Sequence, residues 1–313
     1  MHSFDIVIVN WNSGLQLKEC IESIYQAERS NCNLNKIIIV DNASSDNSLG
    51  LLTENESLII VQNDKNLGFG KACNQGAAFS RSEFILFLNP DMLIFQDTFT
   101  NLFDYINKND NKSIAVYGIQ LVDDNGKIQQ SCAKFPTILR LINRSLGLNK
   151  LNPNIFPSYT MENWNHQTTM NVDQVMGAFF MIKKEIFVTL KGFDERFFVY
   201  YEEVDLSKRV EELGCKTLFV AEAKAYHKGG GTSEKVKAKR LFYNLRSRLI
   251  YAFKHYNKVE AFFLMTFVFL VEPITRSVFL LLKGNFSEIR EMFIGFKLLY
   301  KDSLNIIRQG LMK

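Results

Sequence analysis

The sequence predicts an α/β protein, a mostly parallel mixed sheet covered by helices, followed by a helical C-terminal extension. Three observations carry this expectation. Short apolar runs alternate with stretches of helical period over residues 4–91, the order that builds parallel sheets with right-handed crossovers. The run Lys36-Ile37-Ile38-Ile39-Val40 is β-branched and apolar without alternation, as strands buried on both faces are. Asp41 and Asp91 stand directly after two of these runs, and open α/β sheets bind ligands beyond the carboxyl ends of their strands.

Phe4–Val9 is the first strand. Asn10-Trp11-Asn12-Ser13 ends it, and Ser13 suits the cap of a helix on which Leu17, Cys20, Ile21 and Ile24 share one face. Lys36–Val40 is the second strand, followed by the turn-rich Asp41-Asn42-Ala43-Ser44-Ser45-Asp46, and Leu58–Val61 is the third. Within that turn Asp46 reads as a cap. Asn66-Leu67-Gly68-Phe69-Gly70 opens a helix carrying Asn74 and Gly76. Its glycines lack the spacing of GxGxxG or of a P-loop, so close helix packing explains them as well as phosphate binding does. Phe84-Ile85-Leu86-Phe87-Leu88 is a buried strand, and Pro90 in Asn89-Pro90-Asp91 stops its ladder. Asn-Pro-Asp is also good turn chemistry.

Further on, Asp97–Ile106 reads as a helix, Ile114–Tyr117 as a strand and Asp123-Asp124-Asn125-Gly126 as a hairpin turn. Residues 133–171, with Pro136, Pro153 and Pro157, read as loops suited to an acceptor. Gln174–Ile182 reads as one strand, in which Gly177 marks close approach of another group. After the turn Gly192-Phe193-Asp194-Glu195 and an aromatic run, Glu202-Glu203-Val204-Asp205 starts a helix ended by Gly214, with Asp205 spaced to pair with Arg209. Thr217–Val220 is a last strand, and a short link leads to His227 and Gly229-Gly230-Gly231.

The composition of the 313 residues, 47% hydrophobic and 22% charged, is that of a globular chain. Five scattered cysteines without CxxC fit a reducing cytosol, and the N-terminus enters a strand at once, so a secretory signal is not expected. The net charge of +4 is uneven: residues 224–258 hold ten Lys/Arg and one acid. The boundary expected is at 232/233, dividing a sheet domain (1–232) from a basic, aromatic helical extension (233–313). In that extension Ala261–Val271 is apolar, Glu272-Pro273 interrupts, and Val278–Leu282 is apolar again. A span needs about 20 continuous apolar residues, so a transmembrane helix is not expected. Basic and aromatic residues beside an apolar helix suit an anionic membrane surface; packing on the domain or in a homodimer is the other reading. No nucleic-acid recognition motif accompanies the charge, so nucleic acid is not an expected partner.

Two constellations carry chemistry. Asp91 at a strand end suits a hard divalent cation and, through it, phosphate oxygens, and His227 could complete a mixed His/carboxylate site. Glu202 and Glu203 at a helix start suit a general base; the helix dipole lowers such a pKa and burial among aromatics raises it, leaving the sign open.

Val7-Ile8-Val9-Asn10-Trp11-Asn12, Asp41-Asn42-Ala43-Ser44-Ser45-Asp46, Asn66-Leu67-Gly68-Phe69-Gly70 with Asn74 and Gly76, Leu88-Asn89-Pro90-Asp91, and Gly192–Glu195 with Glu202–Leu206 together resemble the inverting family 2 glycosyltransferases, most of all bacterial rhamnosyltransferase-like members. The resemblance covers about residues 3–232. It implies a GT-A fold, a three-layer sandwich around the sheet, and a nucleoside-diphosphate-sugar donor. By it, Val9, Asn10 and Asp41 line the base pocket, Asn66, Gly68 and Asn89 complete the donor site, and Asp91 with His227 holds Mg²⁺ or Mn²⁺. Glu203 matches the catalytic base, with Glu202 and Gly177 supporting it or the acceptor. Asn89 stands where the family's DxD motif has its first aspartate, and Glu203 where an Asp is usual. The Gly229–Gly231 loop with Lys228 is expected to close over the diphosphate. The function implied is transfer of a UDP- or dTDP-sugar, such as dTDP-rhamnose, to a lipid-linked or growing glycan on the cytoplasmic face of the membrane. A sugar nucleotidyltransferase and an inactive nucleotide-sugar scaffold are the alternatives.

Overall fold

The computed structural model describes residues 1–53, 55–109, 111–229 and 236–312, so Gly230 and Gly231 of the expected lid lie outside the described residues. In chain order the first elements are β1 (His2–Asn10), α1 (Leu15–Gln26), β2 (Cys32–Asp41), β3 (Leu58–Gln62), α2 (Phe69–Ala77), β4 (Phe84–Leu88), β5 (Met92–Ile94) and α3 (Thr98–Lys108). There follow β6 (Ile114–Val122), β7 (Cys132–Ala133), α4 (Ile138–Ser145), β8 (Met170–Val172), β9 (Gln174–Val175), β10 (Phe179–Lys183), α5 (Lys184–Thr189), α6 (Glu202–Glu212) and β11 (Lys216–His227). The chain continues through α7 (Lys237–His255), α8 (Lys258–Leu270), α9 (Glu272–Leu282), α10 (Phe286–Lys301) and α11 (Ser303–Leu311).

Two compact units result. One is Met1–Phe135, Asn163–Glu195 and Glu203–Thr232; the other is Pro136–Glu162, Arg196–Glu202 and Ser233–Lys313. The division is more interleaved than a single cut at 232/233, and the reason is aromatic. Phe198 stacks on Tyr243 (4.6 Å), Tyr201 meets Tyr251 (5.5 Å), and the Tyr256 hydroxyl donates to the carbonyl of Pro136. Residues 136–162 and 196–202 therefore group with the C-terminal helices.

In the first unit a nine-stranded sheet runs β3-β2-β1-β4-β10-β6-β11-β5, with β8 on β11. The β1, β2, β3 and β4 pairings are parallel, while β10 enters antiparallel to β4 and β6. Strand β4 anchors phenylalanine clusters on both faces of the sheet, because its alternate residues point to opposite sides. Phe84 joins Phe103 (5.9 Å) on one face, where Phe4 packs on Phe99 (5.0 Å) and Phe103 (5.2 Å). On the other face Phe87 meets Phe187 (5.2 Å) and Phe193 (4.9 Å). Helix α2 packs tightly because Gly76 has no side chain: a Cβ there would lie 2.4 Å from Val7 Cγ1.

Three local expectations are corrected. Residues 174–182 are two strands in different sheets, β9 paired with β7 and β10 in the large sheet. Val175 packs onto bare Gly118, where a Cβ would stand 2.5 Å from Val175 Cγ1. Ser13 does not cap α1; the N-cap is Gly14 at φ 56°, with no side-chain cap bond. Strand β11 runs on to His227, which therefore lies in the sheet and not beyond a link.

The second unit is helical. Arg246 and Arg248, two of the ten cations of residues 224–258, are buried. Arg246 Nε donates to Asp302 (2.8 Å), and Arg248 pairs with Glu272, which also accepts from Arg276 Nη2 (2.7 Å). Pro273 sits in the first turn of α9, where proline is tolerated, so it does not end the helical path. Counted across both helices, Lys258–Leu282 is 25 residues and, by length and composition alone, apolar enough to cross a membrane.

Candidate active site

The β1–β2 register sets Asn10 opposite Asp41. The Asn10 amide is wholly buried and donates to Asp41 Oδ1 (2.6 Å) and Ser48 Oγ (2.7 Å). Asp41 is 5% exposed, and its Oδ2 accepts from the Ser44 N–H (3.0 Å). This carboxylate is thus built into the strand end, presenting only an edge outward, and Val9 beside it is buried too. Asn12, at φ 54°, accepts from the Ser45 N–H (2.7 Å) and shapes the turn that follows. Asp46 takes the Gly14 N–H (2.8 Å) and the Ser48 hydroxyl (2.6 Å), the capping role expected of it. Slight burial works against its charge, but the Ser48 hydroxyl and N–H and the Gly14 N–H outweigh that and hold its pKa low.

Asn42 joins this turn to the next loop. It donates to the Gly68 carbonyl (3.1 Å) and accepts from Asn63 (3.1 Å). Asn66 accepts from the Gly68 N–H (2.9 Å), and Gly68 takes φ 89°, a conformation natural to glycine, at the start of α2. Asn66 therefore shapes its own loop.

Asn89-Pro90-Asp91 is a turn and a site edge at once. The Met92 N–H donates to the Asn89 carbonyl (3.3 Å), and the Asn89 N–H donates to the Ala178 carbonyl (3.0 Å). The β5–β11 ladder sets Met92 opposite His227. Asp91 Oδ2 then lies 3.6 Å from His227 Nε2, while Asp91 Oδ1 is buried with no partner. His227 Nδ1 lies 2.9 Å from Gln129 Oε1, and Gln129 Nε2 donates to the His227 carbonyl (2.7 Å). A ring that donates from Nδ1 presents the Nε2 lone pair toward Asp91. Burial pushes the His227 pKa down, with Asp91 opposing, so the ring is held toward the neutral form a metal needs. An orphaned carboxylate oxygen beside an imidazole lone pair fits a divalent cation. Among the described residues no cluster of three His, Cys, Asp or Glu side chains exists, so a cation here would draw its remaining ligands from elsewhere. A cleft of about 510 Å³ opens beside Asp91, walled by Pro90, Asp123, Asp124, Tyr226 and Lys228.

The chain enters α6 through Tyr200 and Tyr201 at φ 68° and 70°, two consecutive left-handed non-glycine residues of the kind that cost about 1–2 kcal/mol each. Glu202 follows, 5% exposed, and then Glu203, half-buried in the first turn. Burial raises the Glu203 pKa, opposed by the backbone N–H groups of Glu203, Val204 and Gly177. The sign that the sequence left open is thus upward. Its Oε2 is buried without a partner. Gly177 lies between β9 and β10, and a Cβ there would stay 3.8 Å from Glu203. Its contribution is its N–H, and the close approach expected of a strand glycine is absent.

Supports flank this turn. Arg209 Nε donates to Asp205 (2.8 Å), as its spacing suggested, and its other nitrogens reach the carbonyls of Leu190 (2.8 Å) and Gly192 (2.9 Å). Asn74 exchanges two hydrogen bonds with the Phe193 backbone, each 2.9 Å. Gly192 sits at φ 73°, and a Cβ there would lie 2.5 Å from Asn74 Oδ1.

Register brings these groups to one edge. Leu88 pairs with Ile8 of β1 and Phe179 of β10, so the ends of β1 and β4 and the start of β10 lie side by side. Asn10, Asp41, Asn89, Asp91 and Gly177 follow from that edge, and Glu203 rests on Gly177. Sequence reasoning missed Gln129, which orients His227 from 98 residues away, and it assigned no role to Asn42 or Asn74. Only the asparagine content of the motifs hinted at the latter two.

A parallel β1–β4 edge with an antiparallel β10 inserted beside it, and carboxylates at the strand ends, is the arrangement of a GT-A-type fold. The chain belongs to the family described as Glycosyl transferase family 2, which matches residues 5–188. It is 28% identical over 194 residues to the rhamnosyltransferase WbbL of Escherichia coli K12, covering 59% of this chain and 69% of that protein. It is 21% identical over 239 residues to the N-acetylglucosaminyl-diphospho-decaprenol L-rhamnosyltransferase of Mycobacterium tuberculosis, covering 71% and 75%. Its fold is like that of the Pyrobaculum calidifontis mannosyltransferase PcManGT in complex with GDP-Man and Mn²⁺: TM-score 0.54, 14% identity, 97% of this chain and 86% of that one. The protein is thus a family 2 glycosyltransferase.

Proposed function

We propose that this enzyme moves a sugar, with rhamnose from dTDP-rhamnose as the first candidate, from a nucleoside diphosphate to a hydroxyl of a lipid-linked or growing glycan at the cytoplasmic face of the membrane. The observation that carries the chemistry is Glu203. It is a partly buried carboxylate with raised proton affinity and a free Oε2, resting on Gly177 at the sheet edge that holds Asp91. A general base needs that combination of reach and basicity. The Glu203 carboxylate accepts the proton of the acceptor hydroxyl as that oxygen attacks the anomeric carbon. The bond from that carbon to the diphosphate breaks, the electron pair leaves with the nucleotide, and the centre inverts. Asp41 contacts the base, held in place by the Asn10 amide, and the backbone at Val9–Asn10 lines the same pocket; Asn66, Gly68 and Asn89 line the donor. Asp91 and His227 would hold Mg²⁺ or Mn²⁺, whose charge would neutralise the departing diphosphate. The Mn²⁺ bound by the mannosyltransferase supports this reading, and the two rhamnosyltransferases support the sugar and, for one of them, a lipid-diphosphate acceptor.

The test is a transfer assay with Mn²⁺, comparing dTDP-rhamnose with UDP-sugars on a polyprenyl-diphospho-N-acetylglucosamine acceptor. Turnover with dTDP-rhamnose is expected, with Asp91→Ala losing the metal-dependent turnover and Asn89→Asp tolerated. Donor binding without turnover would mean a scaffold, and stabilisation by none of the donors in a thermal-shift screen would sink the donor assignment.

A further inference from the structure

The helical unit carries an apolar stripe facing outward. Along α8 and α9, Val259, Phe263, Leu270, Ile274, Val278 and Leu282 recur at helical spacing and are 80, 56, 63, 65, 50 and 82% exposed. The opposite face of the same helices, Ala261, Leu264, Val268 and Glu272, is buried. A helix apolar all round belongs either inside protein or in lipid. Here one side is already packed, and the other remains apolar. The stripe broadens at its N-terminal end, where Leu139 of α4 (62% exposed) faces Val259 and Phe263 across a groove of about 650 Å³.

By length and composition the Lys258–Leu282 segment could cross a bilayer. Its partners argue against crossing. Glu272, near its middle, is wholly buried and paired with Arg248 of α7 and with Arg276. A crossing helix would carry these ionised groups into the hydrocarbon, together with α7, which holds six Lys/Arg and no acid. Lying flat keeps the pinned side toward protein and gives the stripe to lipid. The charges around the stripe fit that posture. Lys150 and Lys283 both stand 4.7 Å from the centroid of the Phe279 ring, and Lys258 begins α8. Residues 236–312 hold thirteen Lys/Arg against five Asp/Glu, which favours an anionic surface and disfavours a second, equally basic copy.

We infer that α8 and α9 form an in-plane docking surface for an anionic bilayer, with Phe263, Leu270, Ile274 and Val278 at the acyl boundary and Lys150, Lys258 and Lys283 among the headgroups. This deepens the membrane location proposed above and does not depend on the catalytic assignment, because lipid binding requires no turnover.

The experiment is co-sedimentation of the full-length protein with vesicles of 30% phosphatidylglycerol in phosphatidylcholine, and of phosphatidylcholine alone. Binding at least tenfold stronger to the anionic vesicles is expected, weakened by salt and released by carbonate at pH 11. The triple variant Phe263→Ser, Ile274→Ser, Val278→Ser should lose at least tenfold in vesicle affinity while thermal midpoint and donor binding hold. Lys258→Glu with Lys283→Glu, on surface positions that cannot unfold a core, should abolish the preference for anionic lipid. Resistance to carbonate would overturn the in-plane posture in favour of a span. Absence of vesicle binding, with a dimer in light scattering that the triple variant dissociates, would overturn lipid in favour of a second copy.

Discussion

Glu203 and Glu272 are both glutamates in the first turn of a helix, and both are drawn largely out of water. Their fates are opposite. Burial raises the Glu203 pKa, opposed by the backbone N–H groups of Glu203, Val204 and Gly177. Burial would raise that of Glu272 as well, but Arg248 and Arg276 overcome it and hold the group charged. Glu203 Oε2 and Asp91 Oδ1 are thus left under-satisfied, while Glu272 is closed between two cations. Position at a helix start does not make a base; what separates the two is that no cation among the described residues opposes burial at Glu203.

The comparison can be broken at either glutamate. Glu203→Gln should reduce kcat by about 10²–10⁴-fold, the usual contribution of a general base, with the melting temperature held or raised. Equal turnover in steady-state assays would remove Glu203 from the chemistry. Glu272→Gln should leave catalysis per folded molecule intact but cost about 3–5 kcal/mol in denaturant unfolding, because two arginines lose their counter-charge. Replacing Glu272 and Arg248 together by Met should recover much of that loss, since a buried pair is often replaceable by apolar groups.

The two groups should also separate with pH. A base works unprotonated, so activity should fall as pH drops through the raised Glu203 pKa, above the ordinary glutamate value of 4.5. Glu272 has a depressed folded pKa, so its stability contribution is present above the unfolded value and is lost as pH falls through the folded one. A pH–rate profile set beside pH-dependent melting should therefore show activity failing at a higher pH than this part of the fold. A single coincident transition would contradict the contrast. The smallest effect is a packing control in the sheet unit. Gly76→Ala puts a methyl 2.4 Å from Val7 Cγ1 and should cost about 1–3 kcal/mol, read by denaturant midpoint, without moving either pH transition.

What could be read from sequence was local. The β4 run and its Asn89-Pro90-Asp91 end, the Asp123–Gly126 turn, the Asp205–Arg209 pair and the Gly214 helix stop all depend on neighbours within a few residues, and each stands as expected. Asp91 and His227 pair in sequence on ligand chemistry as well as on resemblance, yet their approach is made by the β5–β11 ladder across more than a hundred residues. The break at residues 176–178 escaped because it answers to Gly118, a distant partner, and not to any local signal. In the C-terminal run only the helical path escaped: Glu272 looks like an interruption in sequence, whereas Arg248 and Arg276 neutralise it inside a continuous helical path.

The sequence by itself determined the parallel β-α order, the residue types at the strand ends and the basic, apolar character of the C-terminus. These follow from side-chain period, turn chemistry and charge, which act over a few residues. Only the tertiary structure decided that Glu203 is driven toward higher pKa while Glu272 is held charged, that Gln129 sets the His227 tautomer, and that Arg246 and Arg248 are interior. Each of those depends on which distant group removes water or supplies a counter-charge, and long-range packing alone makes that choice.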